Sequence, residues 1–116
     1  MAEKSSQSEY TLDYDDEPLT KLLGILSSRW TLLLLHRLHM GGPTRFGELK
    51  RGLGSISTKT LTERLRQLEA EGLIDRHYEP TVPPQVTYSL TDKVMELEPV
   101  IVELDQIAER WYGSKK

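Results

Sequence analysis

The stretch STKTLTERLRQLEAEGLIDRH, residues 57–77, decides how this chain folds. Leu61, Leu65 and Leu68 recur at intervals of four and three residues, which places them on one face of a helix and predicts that this face is buried. Ser57 stands before the first turn, where its hydroxyl can accept a hydrogen bond from a free backbone amide. These residues predict a helix that begins just after Ser57.

The other face of this helix carries polar and charged side chains, among them Lys59, Thr62, Glu63 and Arg66. Any amphipathic helix has a solvated face of this kind, so periodicity alone does not distinguish ordinary surface from a binding surface. Gly72 is predicted to end the helix, because glycine readily adopts the left-handed conformation found after helix ends.

The composition excludes several classes of protein. The chain has 116 residues, which fits one domain, and it has no cysteine, which excludes a disulfide, a thiolate zinc site and a thiol nucleophile. The longest apolar run, residues 32–35, is too short to cross a bilayer. The start of the chain lacks the pattern of a signal peptide. We therefore expect a cytoplasmic protein with no membrane partner.

The charge of the chain is unevenly distributed around a net value of -3. Residues 1–17 hold six acidic side chains and one lysine, and a segment this polar predicts an acidic mobile tail. Residues 113–116 form a second, polar tail. Residues 44–77 hold seven basic and five acidic side chains. A weakly basic centre between acidic ends is compatible with a DNA-binding face.

Several elements are predicted before the quoted stretch. Pro18 can open a helix in its first turn, and a second helix is predicted over residues 29–40. A short strand over residues 44–46 and a brief helix over residues 47–53 follow. The predicted buried face of the second helix consists of Trp30, Leu33, Leu34 and Leu38.

Two strands and a helix are predicted after the helix of the quoted stretch. Residues 73–78 and 85–90 alternate in polarity and predict two strands joined by a proline-bearing turn. Thr91 is predicted to cap one long last helix that runs to about Trp111 and bends at Pro99.

The order of these elements defines the fold class. Two consecutive helices with a Gly-containing turn between them, the second followed by a β-hairpin, describe a winged helix-turn-helix. We expect a mainly α fold with a small β-hairpin over residues 18–112, in which the first and last helices flank the winged core and serve dimerisation.

The sequence resembles the HxlR-type transcriptional regulators, a branch of the MarR-like winged-helix group, over residues 19–111. The segment SSRWTLLLLHRL, residues 27–38, is similar to the family's helix with a lysine-tryptophan pair and an apolar run. GPTRFGELKRGLGSISTKTLTERLRQLEAEGLI, residues 42–74, resembles its helix-turn-helix almost position by position, and VPPQVTYSLT, residues 82–91, resembles its wing. The resemblance implies a sequence-specific DNA-binding transcriptional regulator. We expect a repressor that binds an inverted-repeat operator, and the alternative is an activator.

The chain departs from the family pattern in three places. A cysteine that often serves as a redox sensor near the family's N-terminus is absent here. The wing has Gln85 and Thr87 where the family has an arginine and a glutamate, which weakens its expected hold on phosphates. Lys93-Val94-Met95 replaces an acid-leucine-glycine and concerns only the start of the last helix.

The resemblance makes the quoted helix the recognition helix, whose N-terminal half enters the major groove. Arg66 can donate two parallel hydrogen bonds to a guanine edge, and Thr62 can pack its methyl group on a thymine. Residues at the helix N-terminus suit a phosphate. The DNA-binding residues implied in this way are Arg45, Ser57, Thr58, Lys59, Thr62, Arg66, Arg76, His77 and Gln85.

Some of these assignments have a structural alternative. Arg64, beside this set, more often packs against neighbouring elements or pairs with an acid. Lys59 and Arg66 can be solvated without touching DNA. Arg45 can either buttress the turn or meet a phosphate, and His77 can be an ordinary surface residue of its strand.

A homodimer is expected because the last helix carries an apolar stripe wider than one contact surface, and soluble monomers avoid an exposed patch of that size. The first helix contributes further leucines. The residues assigned to the dimer interface are Leu19, Leu22, Leu97, Ile101, Leu104, Ile107 and Trp111.

Other functions are less well supported by the residues. His36 and His39 have a spacing that can ligate a metal, but no further ligand is evident, so we expect no metal and no cofactor. No combination of nucleophile, base and orienting group suggests an enzyme. A winged helix can instead serve as a protein–protein interaction module without specific DNA binding, and salt-sensitive binding to duplex DNA distinguishes the two.

An effector ligand is a further possibility. Trp30, Trp111 and Tyr112 can line a pocket between subunits for a small aromatic effector. The alternative is that these aromatic residues only pack at the subunit contact.

Overall fold

The computed structural model describes residues 17–113. The tails predicted at residues 1–17 and 113–116 lie outside this range, apart from Glu17 and Gly113. No helix among the described residues has the length and apolar character needed to cross a membrane.

The described residues form five α-helices, one short 3-10 helix and a three-stranded antiparallel sheet with strand order β1-β3-β2. The elements in chain order are α1 (Pro18–Leu26), α2 (Arg29–Gly41), β1 (Thr44–Arg45), α3 (Phe46–Leu53), α4 (Thr58–Ala70), β2 (Ile74–Glu79), β3 (Gln85–Leu90), the 3-10 helix (Asp92–Glu96) and α5 (Glu98–Tyr112). The predicted winged helix-turn-helix is confirmed, with α3 and α4 as the helix pair and β2 and β3 as the wing.

Glycines and hydroxyl side chains set the ends of the helices. The Ser28 hydroxyl accepts a hydrogen bond from the Trp30 amide at 3.1 Å and caps α2. Gly72, with φ of 78°, follows the end of α4 as predicted. Its amide donates to Glu69 O at 3.0 Å while the Leu73 amide donates to Leu68 O at 2.9 Å, the bonding pattern of a Schellman motif.

The core lies where α2, α3 and α4 meet one face of the sheet. Leu61 and Leu68 of α4 are fully buried and Leu65 is 2% exposed, so the inward face predicted for the quoted helix is confirmed. The rest of the buried apolar set is Leu34, Leu35, Leu38, Leu49, Ile56, Leu73, Ile74, Tyr88, Val94 and Ile101.

The predicted buried face of α2 was partly wrong. Leu33 is 45% exposed, whereas Thr31 and Leu35 are fully buried. Residues 32–35 are four consecutive leucines, so hydrophobicity could not show which of them face inward. The spacing of Thr31, Leu34 and Leu35 matches one helix face, and Leu33 lies on roughly the opposite side of the helix.

The prediction of one long last helix that begins at Thr91 and bends at Pro99 was also wrong. The chain forms the short 3-10 helix first, and α5 then begins at Glu98 with Pro99 in its first turn. Proline lacks an amide hydrogen and its ring clashes with the carbonyl four residues earlier, so it interrupts the preceding helix but fits a new first turn.

The start of α3 differs slightly from the prediction. Phe46, expected to end the short strand, is the first residue of α3. The Arg45 amide donates to the Glu48 carboxylate at 3.4 Å, and a carboxylate at this position stabilises a helix start one residue earlier than the Gly47 that was expected.

Candidate nucleic-acid interface

The first turn of α4 is fixed from both sides. Ile56, in the turn before the helix, is 2% exposed and anchors that turn in the core. The Ser57 hydroxyl accepts from the Thr60 amide at 3.0 Å and donates to the Thr60 hydroxyl at the same distance. Ser57 is therefore an N-cap, and its hydroxyl is already engaged within the protein. Thr58 and Lys59 lie exposed on the turn that this cap stabilises.

The outward face of α4 carries the side chains predicted to meet DNA. Lys59, Glu63 and Arg66 are exposed and Thr62 is half-buried. Residues three and four apart lie on the same side of a helix, so these four form one continuous strip.

Arg64 lies beside this strip and is held within the protein. Its Nη1 donates to Gln67 Oε1 at 2.8 Å, and its Nε is buried. The side chain is half-buried and bonds an amide rather than an acid. These contacts favour the structural alternative for Arg64.

The wing places its three predicted residues on two different faces. Residues directly opposite each other in an antiparallel pair lie on the same face. Arg76 pairs with Tyr88 on the face whose Ile74 is buried against the core. His77 alternates with Arg76 and therefore lies on the other face, and so does Gln85, which pairs with Glu79.

Glu79 modifies the chemistry of that second face. Its Oε2 lies 3.6 Å from Nε2 of His77. The carboxylate gives His77 a partner within the strand and places a negative charge where a phosphate contact was predicted.

A cleft lies between α4 and the wing. It has a volume of about 330 Å³ and is lined by Thr62, Leu65, Arg66, Glu69, Arg76 and Tyr88. Two guanidinium groups and one carboxylate therefore border the same cleft. Within residues 17–113, neither arginine lies within ion-pair distance of Glu69, so both guanidinium groups remain available to an external anion or base.

Arg45 is held at the start of α3. Its backbone pairs with Thr87 of β3, and the neighbouring Thr44 is buried and donates its hydroxyl to Gly42 O at 2.7 Å. The Arg45 side chain is exposed. An exposed guanidinium on a backbone held by the sheet is compatible with the predicted phosphate contact.

Exposed apolar side chains lie on α1, α2 and α5, and Leu33 of α2 and Leu104 of α5 line one groove. Of the residues predicted for a dimer interface, Leu19, Leu104 and Trp111 are exposed, and Leu22, Leu97 and Ile107 are half-buried. Ile101 is only 5% exposed because it packs into the core of its own chain, so it offers little area to a contact surface. Exposed residues outside the predicted set extend the surface, namely Leu23, Leu33, Val100 and Tyr112. We use the name apolar surface for the exposed residues alone, namely Leu19, Leu23, Leu33, Val100, Leu104, Trp111 and Tyr112.

The aromatic residues considered for an effector pocket make different contacts. Trp111 and Tyr112 meet edge to face, with ring centroids 6.1 Å apart. Trp30 packs against the core, and the Arg29 guanidinium lies 4.3 Å from its ring centroid. The structure thus gives Trp30 a structural role within its own protomer.

The histidines of α2 face carboxylates of α5. Nδ1 of His39 lies 3.1 Å from Glu98 Oε2, and Nε2 of His36 lies 3.7 Å from Asp105 Oδ2. Within the described range, no group of three or more potential metal ligands comes together.

Comparison with known proteins identifies a matching family and several relatives. A family model described as HxlR-like helix-turn-helix matches residues 25–116. An uncharacterised HTH-type transcriptional regulator of Halalkalibacterium halodurans is 41% identical over 102 residues, covering 85% of this chain and 90% of the relative. The HTH-type transcriptional regulator YodB of Bacillus subtilis is 38% identical over 87 residues, covering 75% of this chain and 77% of YodB.

Solved structures share the same architecture. A Porphyromonas gingivalis protein assigned to the MarR family of transcriptional regulators has a TM-score of 0.78 at 34% identity and covers 85% of this chain and 96% of its own. The redox regulator HypR in its oxidised form has a TM-score of 0.76 at 32% identity and covers 86% of this chain and 99% of its own.

The cap at Ser57 yields a prediction. Ser57→Ala removes the acceptor for the Thr60 amide, and we expect the free energy of unfolding to fall by about 1 kcal/mol. Denaturant titration measures this loss. Ser55→Ala is the matched control, since Ser55 is exposed and outside the cap, and we expect it to change stability by less than about 0.5 kcal/mol. Equal effects of the two variants would contradict the role of the cap.

Proposed function

This chain belongs to the HxlR-like helix-turn-helix family of transcriptional regulators, and from that premise we propose that it binds a specific duplex DNA sequence as a homodimer and represses transcription there. Its relatives are named transcriptional regulators, and the chain is a regulator rather than an enzyme.

The observation that carries the proposal is the cleft between α4 and the wing. Thr62 and Arg66 line it from the helix and Arg76 from the strand, with both guanidinium groups unpaired within the described residues. In this proposal α4 enters the major groove. Arg66 then donates two parallel hydrogen bonds to a guanine, and Thr62 contacts the neighbouring base.

The surrounding residues position the helix without reading bases. Thr58, Lys59 and the free amides at the α4 N-terminus, ordered by the Ser57 cap, bind phosphate. Arg45 and Arg76 each add a charge against the backbone. His77 and Gln85 meet a phosphate from the other face of the wing, where Glu79 keeps the interaction weak.

The homodimer is proposed from the apolar surface. Leu104 is 47% exposed and Trp111 is 70% exposed, although α5 is packed on the core through Ile101. Apolar side chains that stay exposed on a helix already packed on its core favour a second partner. A two-fold axis through this surface sets two copies of α4 about one or two DNA turns apart, so the operator is an inverted repeat.

Repression follows from the same arrangement. A dimer that covers two half-sites occupies both grooves over that stretch and excludes other proteins from a promoter that overlaps it.

A direct test is binding to a labelled random-sequence duplex over a series of salt concentrations. We expect the logarithm of the affinity to fall linearly with the logarithm of the salt concentration, by about 0.9 per phosphate neutralised. Absence of binding at low salt would favour the alternative, a winged-helix module for protein partners.

Arg66 and Arg76 are expected to contribute differently. On a duplex selected for tight binding, Arg66→Ala should cost about 1–3 kcal/mol of binding free energy and much less on random DNA, because only the selected duplex offers its guanine. Arg76→Ala should weaken both duplexes about equally and reduce the salt slope by about one. Fluorescence anisotropy measures both effects.

Arg64→Ala is the matched control for Arg66→Ala, since both arginines lie on α4 and Arg64 is bonded to Gln67. We expect its DNA affinity to match the wild type. If Arg66→Ala lost equal affinity on selected and random duplexes, α4 would not be the helix that reads the sequence.

The dimer interface can be tested by charge. Leu104→Glu places a carboxylate in the apolar surface, and we expect monomers in sedimentation that bind only half-sites. Val82→Glu is the control, because Val82 is an equally apolar residue that is 99% exposed in the wing turn. It should sediment as a dimer. A dimeric Leu104→Glu variant would place the contact elsewhere.

Redox sensing by thiols is excluded by composition. One related structure is that of diamide-treated YodB from B. subtilis, but this chain has no cysteine. Diamide acts on thiols, so we expect it to leave DNA affinity unchanged, as measured by anisotropy before and after treatment. A several-fold loss of affinity that a thiol reductant reverses would contradict this.

A further inference from the structure

A second cleft that contains two arginine side chains lies between α2 and α3. It has a volume of about 370 Å³, and Arg37 of α2 lines it together with Glu48 and Arg51 of α3. It shares no lining residue with the cleft between α4 and the wing. Neither of its arginines belongs to the DNA-binding set implied by the sequence. We call it the arginine cleft.

The guanidinium group of Arg37 lies directly against the backbone of α3. A β-carbon placed on Gly52 would come within 2.9 Å of Arg37 Nε and 3.1 Å of its Cζ, and at such distances the guanidinium would have to move. Glycine inside a helix lowers the stability of the helix relative to alanine. The close approach of Arg37 therefore gives Gly52 a role that alanine cannot fill.

Arg51 lies along the same helix. Its Nη1 is 3.6 Å from the position of a β-carbon on Gly47, four residues earlier, which is ordinary van der Waals contact. Within residues 17–113, neither Arg37 nor Arg51 forms an ion pair or a side-chain hydrogen bond. Two guanidinium groups thus border one cleft with their hydrogen-bond donors unused by the protein.

The other polar side chains of the arginine cleft are already engaged. The Glu48 carboxylate accepts from the Arg45 amide at 3.4 Å, and the Thr44 hydroxyl donates to Gly42 O at 2.7 Å. Two arginines and one glutamate leave the lining with a charge of +1. The cleft therefore favours an anion, and the guanidinium groups are the side-chain donors that it offers.

We propose that the arginine cleft binds a phosphate-class anion. A guanidinium group is planar and donates parallel hydrogen bonds that match two phosphate oxygens. The contact with Gly52 holds the guanidinium of Arg37 in place before any ligand arrives, so less conformational freedom is lost on binding. A phosphoryl group in the cleft takes up donors of Arg37 and Arg51 that the described part of the chain leaves unpaired.

The phosphoryl group can come from two sources. One source is the DNA backbone, because Thr44 of the cleft is the neighbour of Arg45, which is predicted to contact phosphate. This source rests on the proposed function. The other source is a small molecule that carries a phosphate, in which case the cleft is an effector site that does not require DNA.

Titration of the full chain with pyrophosphate at constant ionic strength tests the arginine cleft without DNA. Nuclear magnetic resonance should show saturable shifts of the Nε–H signals of Arg37 and Arg51. Arg37→Gln and Arg51→Gln should each weaken pyrophosphate binding by about fivefold or more, because each removes a charged donor. Arg29→Gln is the matched control and should bind as the wild type does. Arg29 is an exposed arginine of the same helix as Arg37, and its guanidinium lies over the Trp30 ring.

Two glycine variants separate the position of a guanidinium group from its charge. Gly52→Ala keeps both arginines but places a methyl group against Arg37, so pyrophosphate affinity should fall about threefold or more although alanine favours the helix. Gly47→Ala adds the same methyl group to the same helix at ordinary contact distance from Arg51, and it should bind as the wild type does.

Absence of saturable binding, an equal loss in Arg29→Gln, or an unchanged affinity of either cleft-arginine variant or of Gly52→Ala would overturn the proposal. Binding to a random duplex then identifies the source. A salt slope that falls by about one in Arg37→Gln or Arg51→Gln assigns the phosphate to DNA, and an unchanged slope assigns it to a free ligand. A wild-type chain that bound pyrophosphate but no DNA would contradict the proposed function and leave the arginine cleft supported.

Discussion

Burial of one face of α4 is the constraint on which the rest of the structure depends. Leu61, Leu65 and Leu68 fill the core, and the helical period then forces Lys59 and Arg66 outward. The same helix ends in a Schellman motif, and β2 begins two residues after its glycine with a buried isoleucine. This short connection brings the wing, and with it Arg76, to one edge of the cleft. Packing of the buried face of α4 therefore positions both sides of the cleft.

Much of this could be predicted because the signals are local. The cap at Ser57, the glycine after α4 and the alternating strands each act over a few residues, and the HxlR-type resemblance is confirmed. The errors arose where neighbours in space decide the outcome. Four consecutive leucines gave no indication of which would face solvent. The burial of Ile101 depends on the packing of α5 against the core, which no local pattern shows. The contacts of His36 and His39 with α5 join residues 69 and 59 positions apart, beyond any local pattern.

The chain separates its charges, which reconciles a net charge of -3 with a DNA-binding role. Basic side chains border the cleft of α4 and the wing, whereas α5 carries Glu98, Glu103, Asp105 and Glu109 against Arg110. Electrostatic attraction to phosphate acts over about 10 Å at ordinary salt concentrations. The charge of the side chains around the cleft therefore affects DNA binding more than the net charge of the whole chain does. In the proposed complex, the acidic α5 keeps the apolar surface away from nucleic acid, so that this surface can bind the proposed second copy of the chain.

The central claim is that the outer face of α4 reads DNA sequence in a two-fold symmetric complex. Selection of bound duplexes from a fully random library tests this most directly, since it assumes neither an operator nor a regulated gene. We expect enrichment of an inverted repeat whose half-sites lie about one or two helical turns apart, or about 10 or 20 base pairs. Recovery of duplexes with no shared sequence, or of a single half-site without its symmetric mate, would contradict it.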